Sequence, residues 1–175
     1  MPIMRLSTSN YNSPISRFTY ENALDDYDLN PSYQRGHVWG VERKRNLIKS
    51  MVMGLPIGAI IVNNRFKANN YKIPENGYGY AVVDGKQRIT AMVDFTTDKF
   101  SVPREWFEDD EVADHARNST EIIYSDLSGT GRREFTNIAV PVVEASVQGV
   151  EKEAELFSLV NYGGVNQGDS DHEDN

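Results

Sequence analysis

Apolar positions in this chain fall into short runs, and their spacing switches between helical and extended. In "VERKRNLIKSMVMG", Leu47, Ile48, Met51 and Val52 sit at i, i+1, i+4 and i+5, one stripe of a helix. Arg43, Lys44, Arg45 and Lys49 occupy much of the remainder, and Gly54 and Pro56 predict the end. "AIIVNN" (59–64) is short, apolar and β-branched, the pattern of a buried strand. "YAVVD" (80–84) predicts a second strand. "QRITAMVDFTTDKF" predicts a second helix with Ile89, Met92, Val93 and Phe95 turned inward. "NIAVPVVEA" predicts a third strand, in which Pro141 argues for an edge position or a bulge. "EKEAELFSLVNYGGV" predicts an amphipathic helix with Ala154, Phe157 and Val160 on one side.

The segments between these runs are less regular. Residues 1–17 are polar and Ser/Asn-rich and read as a loosely held arm. "FTYENALDDYDL" (18–29) has room for a short strand or a helical turn. Asn30-Pro31 then forces an extended or turn conformation. "KANNYKIPENGYG" is a turn-rich link. Residues 98–120 read as irregular and hold Trp106 and the acidic "EDDEVAD". "SGTGRREF" predicts a turn into a short helix. Residues 169–175 read as an acidic, disordered tail. Strands and helices mixed in this way predict one α+β domain over residues 18–168.

Composition narrows the function classes. The net charge is −8. Asp169, Asp171, Glu173 and Asp174 lie in the last seven residues, yet the rest of the chain is still acidic. Such a protein does not coat nucleic acid by bulk charge, so any DNA contact must be local. There is no cysteine, which excludes disulfides and thiolate chemistry and is compatible with a reducing cytoplasm. His37, His115 and His172 lack metal-ligand spacing. No apolar run approaches the roughly 20 residues that cross a bilayer, and the N-terminus lacks the apolar stretch of a signal peptide.

Three constellations carry candidate chemistry. The first is Asp84-Gly85-Lys86-Gln87-Arg88, where a strand turns into a helix. A glycine there can take positive φ and let a ligand reach the backbone. The amides of a helix N-terminus favour phosphate. Lys86 and Arg88 add charge, Arg88 with a fork that grips two oxygens. Asp84 is suited to holding magnesium through one oxygen or to accepting a proton from an attacking hydroxyl. The competing reading is a plain turn in which Asp84 caps the helix. The second is Tyr33-Gln34-Arg35, Trp39 and the basic start of the first long helix, Arg43 and Arg45 included. These either face a polyanion or form a solvated face with Trp39 as a core cover. The third is Asn161-Tyr162-Gly163-Gly164, either a loop that admits a ligand or an ordinary glycine helix end. There is no GxxxxGK[ST] phosphate loop and no Gly-x-Ser-x-Gly elbow.

Taken in order, "NPSYQRGHVWGVERKRNLIKSMVMGLPIGAIIV", "YAVVDGKQRITAMVDF", "NIAVPVV" and "ELFSLVNYGGVNQ" resemble the N-terminal domain of GmrS-type restriction proteins, over roughly residues 20–168. That group belongs to the ParB/sulfiredoxin-like superfamily and has an Asp-Gly-Gln-Gln-Arg (DGQQR) signature. The resemblance implies a small mixed sheet flanked by helices. Two departures stand out. Lys86 replaces a glutamine of the signature, and the arginine that precedes the family's last Asn is absent before Asn161. Larger relatives continue into a nuclease or effector domain, so the expectation here is the nucleotide-handling module alone, as in small phage-like members.

The resemblance implies nucleotide chemistry. Relatives bind CTP, ATP or GTP, and several hydrolyse the nucleotide or pass its γ-phosphate to an acceptor. One expectation is therefore a magnesium-dependent NTPase or kinase, with a hydroxymethylated base in DNA as a candidate acceptor. Arg35, Lys86 and Arg88 would bind phosphate. Gly85 and Gln87 would donate hydrogen bonds, and Asp84 would be base or metal ligand. Gln34, Trp39, Arg43, Asn161, Gly163 and Gly164 would complete the nucleotide site. An acceptor base would be single-stranded or flipped, stacked on Trp39 or the Trp106 loop. The expectation from a different class is a non-catalytic switch that closes on a nucleotide or modified DNA in a restriction or anti-restriction system. Either would operate in the cytoplasm of a bacterial host, with no membrane partner.

Overall fold

A computed structural model describes residues 6–34, 38–73 and 77–163 of the chain. The three apolar runs become neighbours in one sheet: β3 (Ile60–Asn64), β4 (Tyr80–Asp84) and β7 (Ala139–Ala145). With β1 (Thr8–Pro14) and β2 (Tyr27–Asp28) they form a five-stranded mixed sheet in the order β1-β7-β3-β4-β2. β7 is antiparallel to β1 and parallel to β3, while β4 is antiparallel to β3 and parallel to β2. A separate two-stranded ribbon pairs β5 (Val102–Pro103) with β6 (Glu121–Ile122).

Both faces of the sheet are covered, which is why its central strands read as almost unbroken apolar runs. Side chains alternate between faces with the period of two that a strand imposes. Ile60, Val62, Val82, Val140 and Val142 face the larger core. That core is completed by α1 (Ser16–Thr19), α2 (Val41–Val52), α3 (Lys86–Thr96) and α4 (Gly129–Asn137), through Phe18, Ile48, Met51, Ile89, Met92, Phe95 and Phe135. Ile61, Val83 and Ala145 face α5 (Gly149–Gly163), which packs Leu156, Phe157 and Val160 on them. This is the expected α+β architecture of a small mixed sheet flanked by helices.

Two expectations are corrected. Residues 8–14 are not a loose arm but the antiparallel edge strand β1. Mostly exposed, they are held by backbone pairing with β7 and anchored by the fully buried Ile15. Pro141 is not on an edge, because β7 has a neighbour on each side. It is tolerated because it stands opposite Asn12 of β1 and precedes Val142, the first residue of β7 that β3 engages. Its missing N–H therefore costs the parallel ladder nothing. The acidic tail lies outside the described residues.

Two charged contacts fasten the helices. Glu153 of α5 is fully buried and takes two hydrogen bonds from Arg65, each at 2.8 Å, and one from the Asn63 amide at 2.8 Å. These hydrogen bonds, ahead of the opposing cost of burial, hold the guanidinium above its usual pKa. Between α2 and α3, Asp94 accepts from Lys44 at 2.7 Å and from Lys99 at 2.8 Å. Burial alone would raise the Asp94 pKa, but the two ammonium groups outweigh it and the net direction is down.

Glu153→Ala is expected to cost about 3–5 kcal/mol, the usual penalty for stranding one partner of a buried ion pair. Urea denaturation checks this, and a loss below ~1 kcal/mol would show that the pair does not hold α5. Asp94 makes a pH prediction. Its folded pKa lies below the unfolded value of about 3.9, so its contribution is present above that value and lost as pH falls through the folded pKa. Asp94→Asn should destabilise at pH 7, and the gap from wild type should close below pH 4. A gap independent of pH would assign the effect to packing.

Candidate functional site

The turn from β4 into α3 departs from regular geometry at its first step. Asp84 pairs with Ile61 but Val82 pairs with Val62, so Val83 is an extra residue in the ladder. Such a bulge re-aims the end of its strand, and here the Gln34 side-chain amide donates to the Val83 carbonyl at 3.4 Å. Gly85 follows with φ of 99°, as the N-cap of α3. A Cβ at that position would lie 3.1 Å from Ile60 Cγ1 and 3.3 Å from Arg88 Nη2. Conformation and space both require glycine.

Asp84 does not cap the helix, since the N-cap is Gly85 and no side chain performs that task. Its carboxylate instead accepts from Arg88 Nη2 at 2.6 Å, and the same Nη2 donates to the Ala59 carbonyl at 2.8 Å. Arg88 is thus fixed between its own helix start and the entry to β3. Asp84 keeps a third of its side chain exposed. Lys86 Nζ hydrogen-bonds Asn30 Oδ1, and the Trp39 amide donates to Gln87 Oε1 at 3.0 Å. Arg43 lies 4.6 Å over the Trp39 ring, a cation–π contact that closes this side of the cluster. Among the described residues, two buried polar atoms here have no partner, Arg88 Nε and Gln34 Oε1.

The structure therefore brings together Gln34, Trp39, Arg43, Asp84, Gly85, Lys86, Gln87 and Arg88. Arg35 and Gly164 lie outside the described residues. Asn161 makes no recorded contact with these residues: its side chain donates to Phe157 O in its own helix, and Gly163 is the last residue of α5. Part of the basic face of α2 is engaged within the fold, while Arg43 and Lys49 remain exposed and Trp39 packs against the large core. Lys44 pairs with Asp94, Arg45 with Glu121 at 2.6 Å, and Lys49 lies 5.7 Å over the Trp106 ring. Trp106 is therefore engaged, half-buried against the large core. Asn30 and the Ala59 carbonyl were not legible as members of the cluster. Asn30 reads only as a turn residue before proline, and a carbonyl leaves no mark on a sequence.

Magnesium binding would draw on Asp84. Among the described residues no group of three His, Asp or Glu could hold a metal by itself. No described helix is long and apolar enough to cross a membrane.

One protein-family model matches the chain, described as the N-terminal domain of the GmrSD restriction endonuclease, over residues 19–172. Neither the curated proteins nor the solved structures contain a significant match. The matched range takes in the whole β3–β4–α3 core with the Asp84–Arg88 cluster at its turn, and its architecture agrees with the expected ParB/sulfiredoxin-like fold. The chain belongs to the family of GmrSD restriction endonuclease N-terminal domains.

Proposed function

We propose that this domain acts in a restriction or modification system by binding a nucleoside triphosphate at the Asp84–Arg88 cluster and transferring its γ-phosphoryl group. The observation that carries this reading is a partly exposed, arginine-paired Asp84, with Lys86 beside it, at a helix start that only glycine can make. An arginine fork next to the first amides of α3 suits a phosphate.

Phosphoryl transfer asks for positioning and charge neutralisation more than for covalent help. Arg88 and Lys86 bind the phosphates, and Gln34 and Gln87 fix the walls. Asp84 would hold magnesium, which would supply charge neutralisation for the phosphates. Asp84 takes the proton of the attacking oxygen as the new P–O bond forms and the bond to the β-phosphate breaks. The acceptor is water or a hydroxyl, with a hydroxymethylated DNA base the candidate that suits a modification system. The Asp84–Arg88 ion pair favours a second reading, a switch without turnover, because it already spends the carboxylate on an internal partner.

Asp84→Asn separates the two. On the transfer reading, turnover of γ-labelled nucleotide should fall ~10²–10⁴-fold, the scale of a lost general base. Metal-free nucleotide affinity should hold or rise, since a repelling carboxylate is gone. Unchanged turnover would remove Asp84 from the chemistry, and no turnover in the wild type would favour the switch. For binding itself, a triphosphate at ~100 times its Kd should stabilise the fold by ~2.7 kcal/mol. A thermal-shift series over ATP, GTP, CTP and UTP reads this, and no shift at millimolar concentration would sink the site.

A further inference from the structure

A second concavity lies away from the Asp84 cluster and shares no lining residue with it. It is a cavity of about 610 Å³ between the 28–32 segment, Arg65 with residues 70–72 and 77–78, and the start of α5. This is the size range of pockets that hold small organic ligands. Tyr71 and Tyr78 supply aromatic surface, and Asp28, Ser32 and Asn70 supply a mixed set of donors and acceptors. Tyr71 is backed by Arg65, whose guanidinium lies 5.3 Å from the ring centre. Burial and then the Glu153 charge push the Tyr71 phenol up to about 12, so it keeps its proton.

The charges around the cavity decide what it suits. Arg65 is neutralised by Glu153, which grips it with both oxygens. Asp28, which also accepts from the Asn30 amide at 3.0 Å, pairs with the same Arg65 at 3.4 Å, and the exposed Lys72 adds one positive charge to the lining. A wall with so little net charge is a poor place for a triphosphate. It suits a flat, neutral, heteroatom-bearing ring, which stacks on tyrosine and reads amide, hydroxyl and carboxylate partners. Lys72 and the first residues of α5, Gly149 and Val150, also line the cavity, and the Lys72 ammonium suits a single phosphate.

We propose that this cavity is a nucleobase site, separate from the Asp84 cluster, taking the base of one nucleotide unit, free or within a strand. The site would bear on the cluster through a shared wall. Residues 28–34 line the cavity with Asp28, Pro31 and Ser32, and they carry Asn30 to Lys86 and Gln34 to the Val83 carbonyl. A base in the cavity and a phosphate at the cluster would press on the same seven residues from two sides.

The test is titration of the whole chain, followed by NMR or calorimetry, with deoxycytidine, deoxyadenosine, their 5′-monophosphates, a single-stranded pentanucleotide, glucose and inorganic phosphate. Saturable binding of the nucleosides is expected, with tighter binding of the monophosphates. The pentanucleotide arm tells a strand from a free nucleotide. Val150→Trp, at a half-exposed position on the cavity wall, should fill the space and weaken the monophosphates at least tenfold with the melting temperature unchanged. Lys72→Ala should weaken the monophosphates and spare the nucleosides. Asp84→Asn should change none of these values, so failure of the triphosphate site and failure of this one are read separately. No saturable binding of any base, full competition by inorganic phosphate, a preference for glucose, or indifference to Val150→Trp would each overturn the proposal.

Discussion

A carboxylate with no access to water holds this domain together. Glu153 is fully buried, and burying a charge is costly unless it is paired and hydrogen-bonded. Here the pairing is nearly complete, with two bonds from Arg65 and one from Asn63. Asn63 in turn exchanges hydrogen bonds with both the N–H and the carbonyl of Val147. The end of β3, the link from β7 into α5, and α5 itself are thus set by one connected polar group. Arg65 extends it to Tyr78 O and Asp28, and so to the segment that walls both the cavity and the Asp84 cluster. The two candidate sites lie on either side of one wall because this network fixes the wall.

The second theme is self-satisfaction. An acidic chain with arginines and lysines gathered near one turn invites an expectation of open positive charge. Most of those cations already have partners: Arg88 has Asp84 and Ala59 O, Lys86 has Asn30, Lys44 has Asp94, and Arg45 has Glu121. A ligand at the cluster must exchange these contacts for its own. Its gain is the difference between two sets of bonds, not the full worth of the new ones.

Much of the fold was legible because periodicity reports burial directly. Leu47, Ile48 and Met51, and Ile89, Met92 and Phe95, are buried as their spacing implies. β1 was not legible, since an edge strand held by backbone bonds to β7 leaves no apolar alternation to read. Residues 98–127 escaped for the opposite reason. Phe100, Val102, Phe107, Val112, Ile122 and Leu127 are all buried, but on turns and two-residue strands that have no period. At the cluster, the local part was readable: a strand, a glycine with positive φ and a helix. The Asp84–Arg88 pair was missed because a cap and an i,i+4 ion pair compete for the same carboxylate, and the geometry of Gly85 decides between them. Contacts from distant segments, Asn30 to Lys86 and Gln87 to Trp39, depend on the assembled sheet.

The strand order has a consequence for how the polypeptide reaches this state as it leaves the ribosome. β3 and β4 can pair early, as near neighbours in sequence. β1 emerges first yet has β7, more than a hundred residues later, as its partner, and β3 must keep its other edge open for the same strand. Until residue 145 is available, a growing chain carries two unpaired strand edges, one of them apolar. Pairings across such sequence distances form slowly, and exposed edges invite association with other chains. The order of synthesis thus places the greatest risk of aggregation just before the last strand arrives, and α5, closing with Glu153 over the finished sheet, ends it.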